Sequence, residues 1–239
     1  MSNNGNEICF CTIGDASTSE GHFWETINAA GVLQVPLAVF VWDDGYGISV
    51  PTKLQTTKGS VSAALAGFQK KEGTNGVDIY KIKGWDYAGM CEVLETAIQK
   101  IRDTHTPAVF HVQELTQPQG HSTSGSHERY KSQERLTWEK EWDCVKQMRN
   151  WIITNELASE DELTDIELAA KNHVKESKQR AWEKYINPIK EEVAIAANLL
   201  TAVAGDNEEL IKLATELSAN REPVRKDILK TLANALDII

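Results

Sequence analysis

Four stretches of the chain are dominated by apolar, β-branched and aromatic residues: EICFCTIG (7–14), PLAVFVW (36–42), VDIYKIKG (77–84) and PAVFHVQEL (107–115). Between them, apolar residues recur every three or four positions in SEGHFWETINAAGVLQ (19–34), GSVSAALAGFQKKEG (59–73) and DYAGMCEVLETAIQKIRDT (86–104). Short apolar runs bounded by turn residues predict buried strands, and the longer period predicts helices. Strands alternating with helices of this length predict an α/β fold, a parallel sheet covered by helices on both faces. PLAVFVW lacks the apolar–polar alternation of a half-exposed strand, which places it in the middle of that sheet.

After about Glu114 the pattern changes. TQPQGHSTSGSHERYKSQE (116–134) is polar and rich in Gly, Ser and His, and it is long for a connection inside a compact domain. Loops of that size are functional or disordered. From Arg135 to Ala204 the chain reads as almost wholly helical, with a capping box at SEDE (159–162). Trp138, Trp142, Val145, Met148, Trp151 and Ile152 recur there at helical spacing and read as ordinary core. AGDNEE (204–209) breaks the pattern, and REPVRKDILKTLANALDII begins a further helix. The expected division is 1–132, a ligand-binding α/β part; 133–205, a helical extension; and 206–239, a linker and the start of another segment.

Composition narrows the class of function. The net charge of −10 argues against nucleic acid or an anionic membrane as partner. No apolar run is long enough to span a bilayer, and the opening MSNNGNEICFCTIGD has no secretory pattern. Cys9, Cys11, Cys91 and Cys144 form no CxxC pair. They are expected to be small buried hydrophobes in a reducing, cytoplasmic setting.

Two predicted strands end in acid, the first at Asp15 and the second at Asp43 and Asp44. In an open parallel sheet, ligands collect at the carboxyl ends of strands. Ser17 and Glu20 match a capping box, so a helix is expected to open there with its free amides at the same rim. One sheet edge would then offer carboxylates to a hard cation and a helix start to an anion, the two needs of a magnesium diphosphate. The plainer alternative is turn chemistry, since Asp after a strand and Asp-Gly are ordinary turn features.

The stretch GDASTSEGHFWETINAAGVLQVPLAVFVWDDGYGISVP resembles the thiamine diphosphate motif of the 2-oxo acid dehydrogenases, in particular the alpha chain of their decarboxylating component. The matching residues are Gly14, Asp15, Ser19, Glu20, Gly21, Glu25, Asn28, Gly45, Tyr46, Ile48, Ser49 and Pro51, and the likeness runs on through GHSTSGSHERY into the helical region. The resemblance implies magnesium held by Asp15, Asp44 and the Tyr46 carbonyl. It also implies thiamine diphosphate bound by Asp15, Ala16, Ser17, Asp44, Tyr46 and Ser49, and a catalytic His121 that helps transfer the acyl group. Asp43 is expected to turn elsewhere. Asp44, Ala16 and Trp42 depart from the family's usual asparagine, glycine and, in some members, arginine. Ser122, Ser124 and Ser126 fall where some relatives are phosphorylated.

Further implications concern partners. The family's beta chain supplies the glutamate that activates the cofactor, a lipoyl-bearing acyltransferase component receives the acyl group, and the assembly is alpha-two beta-two. The last helix resembles the opening of a beta chain, which implies the interior of an alpha–beta fusion. A branched-chain 2-oxo acid, of the 2-oxoisovalerate kind, is the expected substrate. The alternatives are a pyruvate or acetoin enzyme, or a non-catalytic assembly module with a drifted cofactor site.

Overall fold

The computed structural model describes residues 5–121 and 127–239. Two compact units are present, Met1–Ala158 and Ser159–Ile239. The first is built on a four-stranded parallel sheet of β1 (Cys9–Gly14), β2 (Leu37–Trp42), β5 (Asp78–Lys83) and β6 (Ala108–Gln113), in the order β1-β2-β6-β5. The two-residue strands β3 (Tyr46–Gly47) and β4 (Val50–Pro51) form a separate hairpin.

Alternate residues of β2 enter two different cores, as its unbroken apolar run requires. Val39 and Val41 pack with Phe23 and Ile27 of α1 (Gly21–Leu33), and with Val61 and Leu65. Ala38 and Phe40 pack on the opposite face with Phe110 and with Ala97 and Ile101 of α3 (Tyr87–Thr104). Phe40 and Phe110 stack with centroids 4.7 Å apart. Burying side chains of this size contributes roughly 1.5–3 kcal/mol each, so the middle of the sheet is the strongest part of the unit.

Two expectations need correction. The segment 59–73 is not one helix: α2 covers only Val61–Ala64, capped by the Ser60 hydroxyl, and a 3-10 turn follows at Leu65–Phe68. Past it, Lys70 N–H donates to the Val77 carbonyl and Val77 N–H to that of Phe68, so the backbone is already committed to the sheet margin. The cysteines are not buried either: Cys9, Cys11 and Cys91 are exposed and Cys144 is half-buried. β1 is an edge strand, and the helices cover the middle strands rather than its outer side.

The helices α4 (Gln133–Glu141) and α5 (Cys144–Thr154) belong to the first unit. The second unit comprises α6 (Glu160–Ala204), α7 (Glu208–Ala219) and α8 (Arg225–Leu236). Its core joins Ile189, Val193 and Leu200 of α6 to Leu210 and Leu217 of α7 and Ile228 of α8. The capping box at Ser159 and Glu162 starts α6, as its sequence predicts. Among the described residues, no helix is long and apolar enough to cross a membrane.

Candidate functional site

The parallel pair β1 and β2 ends in register, Gly14 opposite Trp42, and Asp15 N–H donates to the Trp42 carbonyl at 3.0 Å. The chain then tightens into a 3-10 turn, Ala16–Ser19, before α1 begins. The Thr18 hydroxyl donates to the Asp15 carbonyl at 2.5 Å, which fixes that turn. This displaces the expected capping box. Glu20 occupies the cap position of α1 without a side-chain cap, and Ser17 accepts the Glu20 N–H only through its carbonyl, at 3.2 Å.

The Asp15 carboxylate is buried, with the residue only 3% exposed, and it receives the Thr52 hydroxyl at 3.1 Å. Burial, followed by the charge of Asp43, pushes the Asp15 carboxyl up to about 6, and Asp44 adds to the rise. The Ala16 amide and the Thr52 hydroxyl oppose it and lose. A carboxylate in this condition lacks a positive partner.

At the end of β2 each acid first serves its own turn. Gly45 N–H donates to Asp43 Oδ1 at 2.8 Å, and Tyr46 N–H to Asp44 Oδ1 at 3.1 Å. The other oxygen of Asp43 turns inward, as expected, and meets His111 Nε2 at 2.7 Å. His111 is fully buried on β6, with Nδ1 2.9 Å from the Ser62 hydroxyl and 3.3 Å from the Ser62 amide. A backbone N–H can only donate, so Nδ1 accepts and the imidazole proton sits on Nε2, facing Asp43. Burial pushes the Asp43 carboxyl up, but the His111 and Gly45 donors outweigh it and hold it below its usual range.

Asp44 is half-buried, and burial raises its carboxyl despite the Tyr46 amide and the nearby charges of Lys131 and Arg135. The turn after it needs its two glycines for different reasons. Gly45 has φ +84°, a left-handed conformation that side chains rarely adopt. A Cβ on Gly47 would stand 2.5 Å from Gln55 Oε1 and 2.7 Å from the Ala16 methyl. Thr52 N–H donates to the Gly45 carbonyl at 3.0 Å, so the next pair, Tyr46 and Pro51, is a non-hydrogen-bonded one and the Tyr46 carbonyl points away from the partner strand.

These elements border one cleft of about 740 Å³. Asp15, Ala16 and Ser17 reach it from the β1 turn, Trp42, Asp44 and Tyr46 from the β2 turn, and His121 from the segment after β6. Ser49 does not: it is exposed at the tip of the β3–β4 hairpin, outside the cleft. Ser122, Ser124 and Ser126 lie outside the described residues. Among the described residues no group of three His, Cys, Asp or Glu side chains is placed to hold a metal by itself. The donors present are two carboxylates and a backbone carbonyl, all hard oxygens, and a cation there would fill its shell from a bound anion or water. Gln55, also on the cleft wall, has a buried amide nitrogen without an acceptor. Oxygen donors short of positive charge and an amide donor short of an acceptor suit a cation that carries an oxyanion.

Several residues escaped the sequence reading. His111, Ser62 and Thr52 stand behind the two acid turns, and no local pattern marks them. Lys131, Arg135 and Glu139 form a largely buried ion cluster beside Asp44, with Arg135 Nη2 donating to the Asp44 carbonyl at 2.7 Å. Arg135 and Glu139, four apart on α4, share one helical face, and that spacing was a signal; Lys131 precedes the helix and carried none.

Comparison with known proteins bears on the same residues. The family model described as "Dehydrogenase E1 component" matches residues 2–190. The pyruvate dehydrogenase E1 component subunit alpha of Rickettsia bellii is 27% identical over 175 residues, 73% of this chain and 51% of that protein. That of Porphyra purpurea is 27% identical over 171 residues, 71% of this chain and 47% of that protein. The mitochondrial 2-oxoisovalerate dehydrogenase subunit alpha 2 of Arabidopsis thaliana is 28% identical over 185 residues, 76% and 37% of the two chains. The chain thus spans about half the length, or less, of the curated relatives it matches.

Proposed function

Given that the chain belongs to the dehydrogenase E1 component family, we propose that it carries the diphosphate-and-cation half of a thiamine diphosphate site in a 2-oxo acid dehydrogenase. One observation supports this above the rest. Asp15 and Asp44 leave neighbouring parallel strands and border a single cleft that His121 also enters. Magnesium is the proposed cation, held by the Asp15 and Asp44 carboxylates and the Tyr46 carbonyl. Ala16 and Ser17 lie against the diphosphate, and the Ala16 methyl is housed over the bare Gly47 Cα.

Thiamine diphosphate, when bound, supplies the nucleophilic carbon and the electron sink for decarboxylating a 2-oxo acid. The residues of this chain bind and orient. Asp15 and Asp44 neutralise the cation, and the turns fixed by Thr18, His111 and Tyr46 keep the two carboxylates on one rim. His121 is placed to give or take a proton as the acyl group leaves for a lipoyl-bearing acyltransferase component. The glutamate that activates the cofactor comes from a beta chain, in an alpha-two beta-two assembly. The proposed substrate class is a short aliphatic 2-oxo acid, which takes in both the pyruvate and the 2-oxoisovalerate relatives. The branched-chain preference read from the sequence rests on no residue of this cleft. The proposed compartment is reducing and cytoplasmic, in keeping with four unpaired cysteines.

Calorimetric titration of thiamine diphosphate with Mg2+ into the full-length protein tests the reading. Saturable binding that disappears in Asp15→Asn supports it. An intact protein that binds neither component would instead be an assembly module that keeps the fold alone. His121→Ala should leave that binding intact while slowing lipoyl acylation on the order of 100-fold.

A further inference from the structure

We infer that Arg135 is a positioning residue for the cation turn, and that the Lys131–Glu139 pair exists to hold its guanidinium there. The inference rests on the reading of Asp44 as a cation ligand. It adds a residue from α4, an element that contributes nothing to the cleft wall.

Arg135 is tied down at Nε and Nη2 and lies against two rings. Its Nε donates to Glu139 Oε1 at 2.8 Å, and its Nη2 to the Asp44 carbonyl at 2.7 Å. Its Cζ lies over two rings, 4.6 Å from the centroid of Trp138 and 5.6 Å from that of Tyr46. Glu139 is 2% exposed and takes Lys131 Nζ on both oxygens, at 2.8 and 2.9 Å. Lys131 Nζ also sits 5.2 Å from the Tyr46 ring centroid. A guanidinium bonded to a buried carboxylate through Nε and to a carbonyl through Nη2, with two aromatic rings against it, can turn only by giving up several contacts together.

Geometry makes that rigidity matter. The Asp44 carbonyl is the oxygen of the peptide that leads into Gly45, the most permissive residue of the turn. Holding that oxygen fixes the peptide plane between Asp44 and Gly45. It therefore fixes both the direction of the Asp44 side chain and the start of the path to the Tyr46 carbonyl. Stability alone does not account for the arrangement. Two cations on one buried carboxylate leave an uncompensated positive charge, and buried ion clusters are on balance weak stabilisers.

The test uses the full-length protein with thiamine diphosphate and Mn2+ as the probe ion, followed by electron paramagnetic resonance. Arg135→Met should weaken Mn2+ binding about 10- to 100-fold, the range for residues that orient metal ligands, and broaden the bound-ion spectrum. Arg135→Lys keeps the charge but cannot span Glu139 and the Asp44 carbonyl together, so it should also bind more weakly than the parent. It carries the test alone if Arg135→Met fails to fold. Parent-like affinity and spectrum in Arg135→Lys would assign the effect to charge and overturn the positioning role. Should the parent protein itself bind no Mn2+ with the cofactor, the functional reading fails, and this inference with it.

Discussion

Asp15 and Asp43 occupy equivalent places, each the first residue past the last rung of two neighbouring strands, and they meet opposite environments. Asp43 has a buried imidazole donating to one oxygen and a backbone amide to the other, and it stays ionised. Asp15 has one hydroxyl and the Ala16 amide, two carboxylate neighbours, no cation partner among the described residues and almost no water, and its carboxyl rises to about 6. The same residue type at the same register position is structural on one strand and unsatisfied on the other. The deficit of positive charge that would suit a cation is concentrated on the β1 side.

The largest break of this comparison is His111→Leu. Removing the imidazole strands a buried carboxylate, and breaking such a pair costs about 3–5 kcal/mol. Urea unfolding should show it. A loss below about 1 kcal/mol would mean that water replaces the imidazole and that Asp43 is no better supported than Asp15.

Asp15→Asn should act in the opposite direction. A carboxyl raised from 3.8 to about 6 binds its proton more tightly folded than unfolded. Its stabilising effect is therefore complete below about 3.8 and is lost as pH rises through about 6. Above that window the ionised group costs about 3 kcal/mol, which the amide avoids. Without cation, Asp15→Asn should be more stable than the parent at pH 7.5, with the two converging toward pH 4. Parallel stability curves over that range would show that Asp15 ionises without penalty.

Thr52→Val is a smaller perturbation, about 1 kcal/mol, because it removes the one hydroxyl that Asp15 receives. Its cost should be greater at pH 7.5 than at pH 5. Ser49→Ala marks the floor, within about 0.5 kcal/mol in stability and without change in cation affinity, since Ser49 is exposed beyond the cleft. A drop in affinity there would bring the hairpin tip into the site.

The parts of this arrangement legible from sequence were those encoded over a few adjacent residues. Apolar runs marked the four sheet strands within one or two residues of their ends, and the acids at their carboxyl ends pointed to the rim. That Asp43 turns away from Asp44 followed from the family resemblance, which, of the two, gives the cation to Asp44 alone. The partner of Asp43 was not legible. His111 meets Asp43 only because β2 and β6 are neighbours with Val41 opposite His111, and nothing local in PAVFHVQ announces that pairing. The Ser17 cap failed for a related reason: the Thr18 hydroxyl took the Asp15 carbonyl first and turned the helix start into a 3-10 turn. Cysteine burial was misjudged because composition carries no information about which strand lies at an edge.

The strand order has a kinetic consequence. β1 and β2 are joined through α1, and β5 and β6 through α3, so each pair can close over a short stretch of chain. The seam between them pairs Ala38 with Ala108, 70 positions apart, and long closures are the slow ones. Asp43 spans that seam through His111 and through its amide, which donates to the Val112 carbonyl at 2.9 Å. A chain in which both halves had formed but not docked would show most of its secondary structure and an acidic rim whose Asp43 turn lacks its His111 and Val112 partners. Cation affinity should therefore be the last property to return on refolding, and amide exchange along β2 among the slowest in the unit.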